Sequence, residues 1–220
     1  MPISSESIVG SLTASIDSAK PSEKPYKNWF LTNCLPAEAA ATVIELPFEA
    51  PSLDGLSGKR ELHNNTRKYF DAENMARFPV CKAFNDAFQD KRITGLIERH
   101  FGTNLAGSYL RVEFAQDIDG FWLEPHTDNR AKLYTMLIYL SDEPGSEAWG
   151  TDTLDGSDGF VASTPHVRNG GLIFIPGADT WHGFHRRPIA GVQRSLIVNY
   201  VRPEWPSRHE LAFPEQPVLT

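Results

Sequence analysis

Beyond Gly107 the chain breaks into short runs rich in β-branched and aromatic residues: SYLRVEFAQ, FWLEPH, KLYTMLIYLS, FVAS, GLIFIPG and RSLIVNYV. The segments DIDG, DEPGSE, DGSDG and RNGG separate them. Glycine supplies left-handed backbone there, and Asp and Asn side chains bond their own backbone, so each separator has a physical means of turning the chain. Runs this short, punctuated this often, predict an antiparallel sandwich or barrel.

The first half reads differently. Residues 1–26 are rich in Ser, Lys and Pro and are expected to form a loosely held, flexible arm. Pro36 then opens AEAAATVIEL, with Pro47 just beyond, which predicts a helix with proline in its first turn. Residues 50–68 are rich in Gly, Ser, Asn and Arg and read as loop, with the polar residues at 56–68 able to form a lid. From 72 to 101 Phe84, Phe88, Ile93, Leu96, Ile97 and Phe101 make an apolar helical stripe that Gly102 stops. The expected organisation is one domain over 1–220. It comprises the arm (1–26), a helical layer (27–107), a strand core (108–202) and an irregular tail (203–220).

At 220 residues the chain buries enough surface to fold without a disulfide or structural metal. Its 28 acidic and 21 basic residues give a charge of −7, which argues against capture of nucleic acid or an anionic membrane. Cys34 and Cys81 form no CxxC pair and read as reduced thiols. The N-terminus lacks the basic start and apolar centre of a signal peptide, and no window approaches the ~20 apolar residues of a membrane span. The expectation is a soluble, cytoplasmic protein of open oligomeric state.

Among seven histidines, His126-Thr127-Asp128 is an H-x-D arrangement. On a strand, residues two apart share a face, so imidazole and carboxylate converge on one point. A third ligand would complete the facial triad that suits non-haem Fe(II) and leaves positions open for co-substrate and oxygen. The motif alone is weak, since about one H-x-D/E match is expected by chance from seven histidines and 28 acids. Its context is stronger. The pair lies between two apolar strands, and GLIFIPG leads directly into Asp179-Thr180-Trp181-His182.

H-T-D, then T-M-L-I-Y-L-S, GTDTL, F-I-P-G…W-H and G-x-x-R-S stand in the order found in the Fe(II)/2-oxoglutarate-dependent oxygenases, and residues 108–202 resemble their prolyl-hydroxylase-like branch. The resemblance implies an α+β, mainly β fold, the double-stranded β-helix or cupin-like jelly roll with an N-terminal helical layer. It implies Fe(II) held by His126, Asp128 and His182, with 2-oxoglutarate and O2 as co-substrates and ascorbate as a possible stimulant. His185 lies three residues from His182 and would face the other way on a strand. His166 reads as a solvated loop residue, and His63, His100 and His209 as residues without a role. The implied reaction hydroxylates an unactivated C–H and releases succinate and CO2. A keto-acid-independent cupin-like enzyme and a non-catalytic jelly-roll binding protein are the alternatives.

The distal carboxylate of 2-oxoglutarate needs a cation in an apolar barrel, and Arg grips a carboxylate bidentately. The family pattern points to Arg194 for this, with Arg186 and Arg187 as alternatives and Gln193 at a neighbouring position that relatives fill with a basic residue. Tyr139 matches the tyrosine that binds the same carboxylate, and Gln116 a polar group near the keto acid. Substrate contacts are expected from Arg111, Asn129, Arg130 and Arg168, next to the site in sequence. The substrate is a small molecule or a peptide side chain.

Overall fold

The computed structural model describes residues 3–50, 52, 58 and 67–219. Two antiparallel sheets form the β half. The larger is built from β1 (Lys20–Ser22), β2 (Asn28–Leu31), β9 (Gly171–Phe174), β6 (Lys132–Tyr139), β11 (Val192–Val201), β4 (Tyr109–Ile118) and β3 (Lys68–Tyr69), in that order. The smaller runs β5 (Leu123–His126), β10 (His182–Phe184), β7 (Asp152–Leu154), β8 (Phe160–Ser163). Helices α1 (Ser5–Asp17), α2 (Ala37–Ile44), α4 (Pro79–Gln89) and α5 (Lys91–Phe101) cover the outer face of the large sheet, and the short α3 (Ala72–Arg77) precedes α4. Among the described residues no helix is long and apolar enough to cross a membrane.

Strand alternation divides the large sheet. On β4, Leu110, Val112 and Phe114 join the helices in one apolar core, as do Tyr134, Met136 and Ile138 on β6 and Leu196, Val198 and Tyr200 on β11. The residues between them face the small sheet. Covered on both faces, β6 and β11 are apolar through their middles, at 136–138 and 196–198.

The expected flexible arm is instead largely α1, packed against α4 and α5. Its Ile8, Leu12 and Ile16 repeat every four residues and are 0%, 0% and 1% exposed. That stripe outweighs the Ser-rich composition. Ser4 caps the helix, exchanging side-chain bonds with Ser7 in a capping box. Nor is 27–107 only helical: β2 pairs with β9 and extends the large sheet. The stripe from 72 to 101 is three helices, broken where Phe78 is extended before Pro79 and where Asp90 caps α5 through the Arg92 N–H at 2.8 Å. In the tail, Leu211, Ala212 and Val218 are buried against the start of β4.

Leu12→Ala should cost about 3 kcal/mol, as for other buried leucines. In a chain of this size that lowers the thermal midpoint by roughly 6–12 °C. An unchanged midpoint would mean that α1 contributes nothing to the core.

Candidate functional site

β5 ends at His126 and β10 begins at His182, and the two residues are register partners with ring centroids 4.4 Å apart. Asp128 follows just past the strand. One ligand atom from each of the three lies within 4.8 Å of the others. The Nδ1 of His126 sits 2.8 Å from the Glu124 carbonyl and that of His182 2.9 Å from the Thr180 carbonyl. Those carbonyls accept from a protonated Nδ1, which fixes both tautomers and leaves each Nε2 with a lone pair able to bind a metal.

The Asp128 carboxylate is 4% exposed. Thr135 donates to one oxygen at 2.7 Å and the Lys132 ammonium to the other at 2.5 Å. Burial alone would raise its pKa, but Lys132, His182 and Thr135 outweigh it and hold the carboxyl well below the usual range. Burial lowers His182 to about 4, against the pull of Asp128, so its imidazole is neutral and ready to ligate at pH 7. His166 is also lowered to about 4 by burial.

These two histidines set a pH dependence. Each protonates in the unfolded chain near pH 6.5, but in the folded protein only near pH 4. Between those values the unfolded state binds more protons, so stability falls as pH falls through that window. Urea midpoints of the metal-free protein should drop from pH 7.5 to pH 5, and His166→Asn should flatten the slope. A midpoint independent of pH would contradict the burial of both rings.

A cavity of about 660 Å³ opens between the sheets beside His126, Asp128 and His182. Thr135, Leu137 and Tyr139 of β6 and Gln193, Ser195 and Ile197 of β11 form its wall on the large sheet. Tyr139 faces inward; its hydroxyl bonds Thr151 at 3.0 Å and Thr164 at 2.8 Å.

Two expected co-substrate residues do not reach the cavity. Arg194 and Gln116 are register partners on the opposite face of the sheet. Gln116 donates to the carbonyls of Phe48 and Glu49 at 3.2 and 2.9 Å, and the Arg194 guanidinium lies 3.8 Å from Glu143. Alternation puts Gln193 and Ser195 on the cavity side instead.

Arg111 lines the cavity but is tied into its wall. It is 1% exposed and donates to Glu210 at 2.6 Å, Glu113 at 3.1 Å, Asn199 at 3.1 Å and Tyr69 at 3.2 Å. Asn129 lies at the rim, Arg130 is exposed outside, and Arg168 pairs with Asp142 on the surface. His185 turns outward to Asp152 at 2.7 Å, so His182 is the histidine that converges with the pair. His166 is not solvated: it is 6% exposed, its ring packed 4.8 Å from that of Tyr139. His63 and most of the expected lid lie outside the described residues.

Sequence reasoning missed Lys132 and Thr135, which hold Asp128. Their signal was position: four and seven residues past the aspartate, on the strand that follows it.

No family model matches the chain, and no curated protein matches it. Solved structures do. A Pseudomonas putida prolyl-4-hydroxylase is similar at 16% identity and TM-score 0.56, covering 87% of this chain and 99% of that one. A Trichoplax adhaerens prolyl hydroxylase, in complex with a hypoxia-inducible-factor peptide fragment, is similar at 15% identity and TM-score 0.55, with 90% and 88% covered. The alpha-ketoglutarate-dependent epimerase SnoN from nogalamycin biosynthesis is similar at 16% identity and TM-score 0.52, with 90% and 83% covered. The fold is therefore the jelly roll of these oxygenases, carrying an N-terminal helical layer.

Proposed function

We propose that the chain is an Fe(II)-dependent dioxygenase that consumes a 2-oxo acid and hydroxylates an unactivated C–H of its substrate. The observation that carries this is the convergence of His126, Asp128 and His182, with both Nε2 atoms available, at a cavity in this fold. Two imidazoles and one carboxylate on one side of a site are the donor set of a facial triad, so the residues present fit iron. Iron and a 2-oxo acid would supply oxygen activation coupled to decarboxylation of the keto acid.

The protein's part is positioning. The Glu124 and Thr180 carbonyls hold the imidazoles in the ligating tautomer, and Thr135 fixes the plane of the Asp128 carboxylate. Leu137 and Ile197 give the cavity an apolar wall that limits water near the ligands. Phe174 packs 4.9 Å from the His182 ring. No protein acid or base is required, and none is assigned. 2-Oxoglutarate is the co-substrate the resemblance implies. Its keto end suits the triad, but the cation expected for its far carboxylate, Arg194, lies outside the cavity.

The substrate fits one of two kinds, a small molecule or a peptide side chain; the peptide held by the Trichoplax relative supports the second. As a ligand, the Asp128 carboxylate would fill the position a halide needs, which favours hydroxylation over halogenation. Incubation with Fe(II), O2 and 2-oxo acid against metabolite and peptide pools should yield a product heavier by one oxygen, CO2 in equal amount and no chlorinated species in chloride buffer. Product formed without loss of the 2-oxo acid would point to a keto-acid-independent enzyme. Chlorinated product would remove Asp128 from the ligand set.

A further inference from the structure

Among the described residues, the inner end of the cavity lacks the cation that a dicarboxylate needs. The described cations that line it are Arg67, Arg111 and Lys132. Arg67 grips Glu113 at 3.1 and 2.6 Å, Arg111 bridges Glu113 and Glu210, and Lys132 sits on Asp128. Register shows how far some of this lies from Tyr139. Thr135, Asn199 and Arg111 are paired across β6, β11 and β4, and Tyr139, Ser195 and Ala115 are paired four residues further in. Four residues of strand are about 13 Å. A carboxylate reaching Tyr139 thus meets hydroxyls, from Tyr139, Thr151 and Ser195, and the Gln193 amide.

His166 does not replace the missing charge. It packs on Tyr139 and, buried, is neutral at pH 7.

Gln193 adds a second observation. It is 5% exposed, and its Nε2 donates to the Trp149 carbonyl at 2.7 Å. A carbonyl only accepts, so the amide orientation is fixed, and Oε1 is left buried with no partner among the described residues. A carboxylate brings acceptors only and cannot satisfy that oxygen. It would also be buried without a counter-charge, which is strongly unfavourable.

We infer that this site, read as that of a 2-oxo-acid oxygenase, selects a 2-oxo acid whose tail is uncharged, and that Gln193 sets the selectivity. A carboxamide tail suits it best. Its N–H donates to Gln193 Oε1, and its carbonyl accepts from a neighbouring hydroxyl. The inference rests on the proposed function and narrows its co-substrate.

The test is anaerobic titration of the Fe(II)-loaded protein with two matched pairs: 2-oxosuccinamate against oxaloacetate, and 2-oxopentanoate against 2-oxoglutarate. Visible absorption of the iron chelate reports binding. The uncharged member should bind at least about tenfold more tightly in each pair, and Gln193→Arg should reverse the order. Tighter binding of the carboxylates by the unaltered protein would overturn the inference while leaving the oxygenase reading intact. Loss of that binding in His166→Ala would then assign the charge to His166. No response to any 2-oxo acid with iron bound would sink the oxygenase reading and the inference together. Should Gln193→Arg fail to fold, the two pairs on the unaltered protein still decide.

Discussion

His182→Ala should weaken divalent-metal binding by more than about a hundredfold, while His185→Ala should leave it unchanged. Loss of a group that merely orients a ligand costs about 10–100-fold in metal affinity, and loss of a ligand itself costs more. The two histidines are three residues apart, but the chain turns one inward and the other out. His182 is buried opposite His126, its Nδ1 held by the Thr180 carbonyl. The His185 side chain is 56% exposed and bonded to Asp152. Titration calorimetry with Co(II) or Fe(II) measures the difference without any substrate. A result in the opposite order would place the third ligand at His185.

Arg111→Met should lower stability by about 3–5 kcal/mol, the usual cost of breaking a buried charge network by removing one partner. For a chain of this length that is a fall of roughly 6–20 °C in the thermal midpoint. Arg111 bridges Glu210, which is 6% exposed, and Glu113, which is 1% exposed. Without the guanidinium, Glu210 loses its ion pair with Arg111, and Glu113 loses Arg111 while retaining Arg67. Calorimetric unfolding of the substrate-free protein checks it. A midpoint within a degree or two of the parent's, with weakened substrate binding, would return Arg111 to the role of a substrate contact.

The convergence of the candidate metal-binding residues was legible because it depends on local spacing: H-x-D sits at the end of one strand, and a histidine begins a strand soon after F-I-P-G. The lining of the cavity's inner end was not, because it depends on the parity of β11. QRSLIVNYV is apolar through Leu196, Ile197 and Val198, buried on both faces, so its pattern does not reveal which residues look inward. Only tertiary pairing does. Asn199 bonds Thr135 at 3.0 Å on the cavity side, and counting back by twos reaches Ser195 and Gln193 rather than Arg194. The same step puts Gln116 on the sheet's other face, against the Phe48 and Glu49 carbonyls. At the N-terminus the information was present but outweighed: Ile8, Leu12 and Ile16 are spaced for a helix, yet the serines between them suggest a loose segment. Arg111 was found by its nearness to the site, which cannot distinguish a substrate contact from a residue locked into the wall by partners as distant in sequence as Glu210.

The most direct measurement is the absorption spectrum of the Fe(II)-loaded protein as a 2-oxo acid is added without oxygen. A saturable visible band should appear, and it should be missing from His182→Ala under the same conditions. Iron bound one-to-one by the unaltered protein, with no band from either charged or uncharged 2-oxo acids, would contradict the assignment of this cavity as a 2-oxo-acid site.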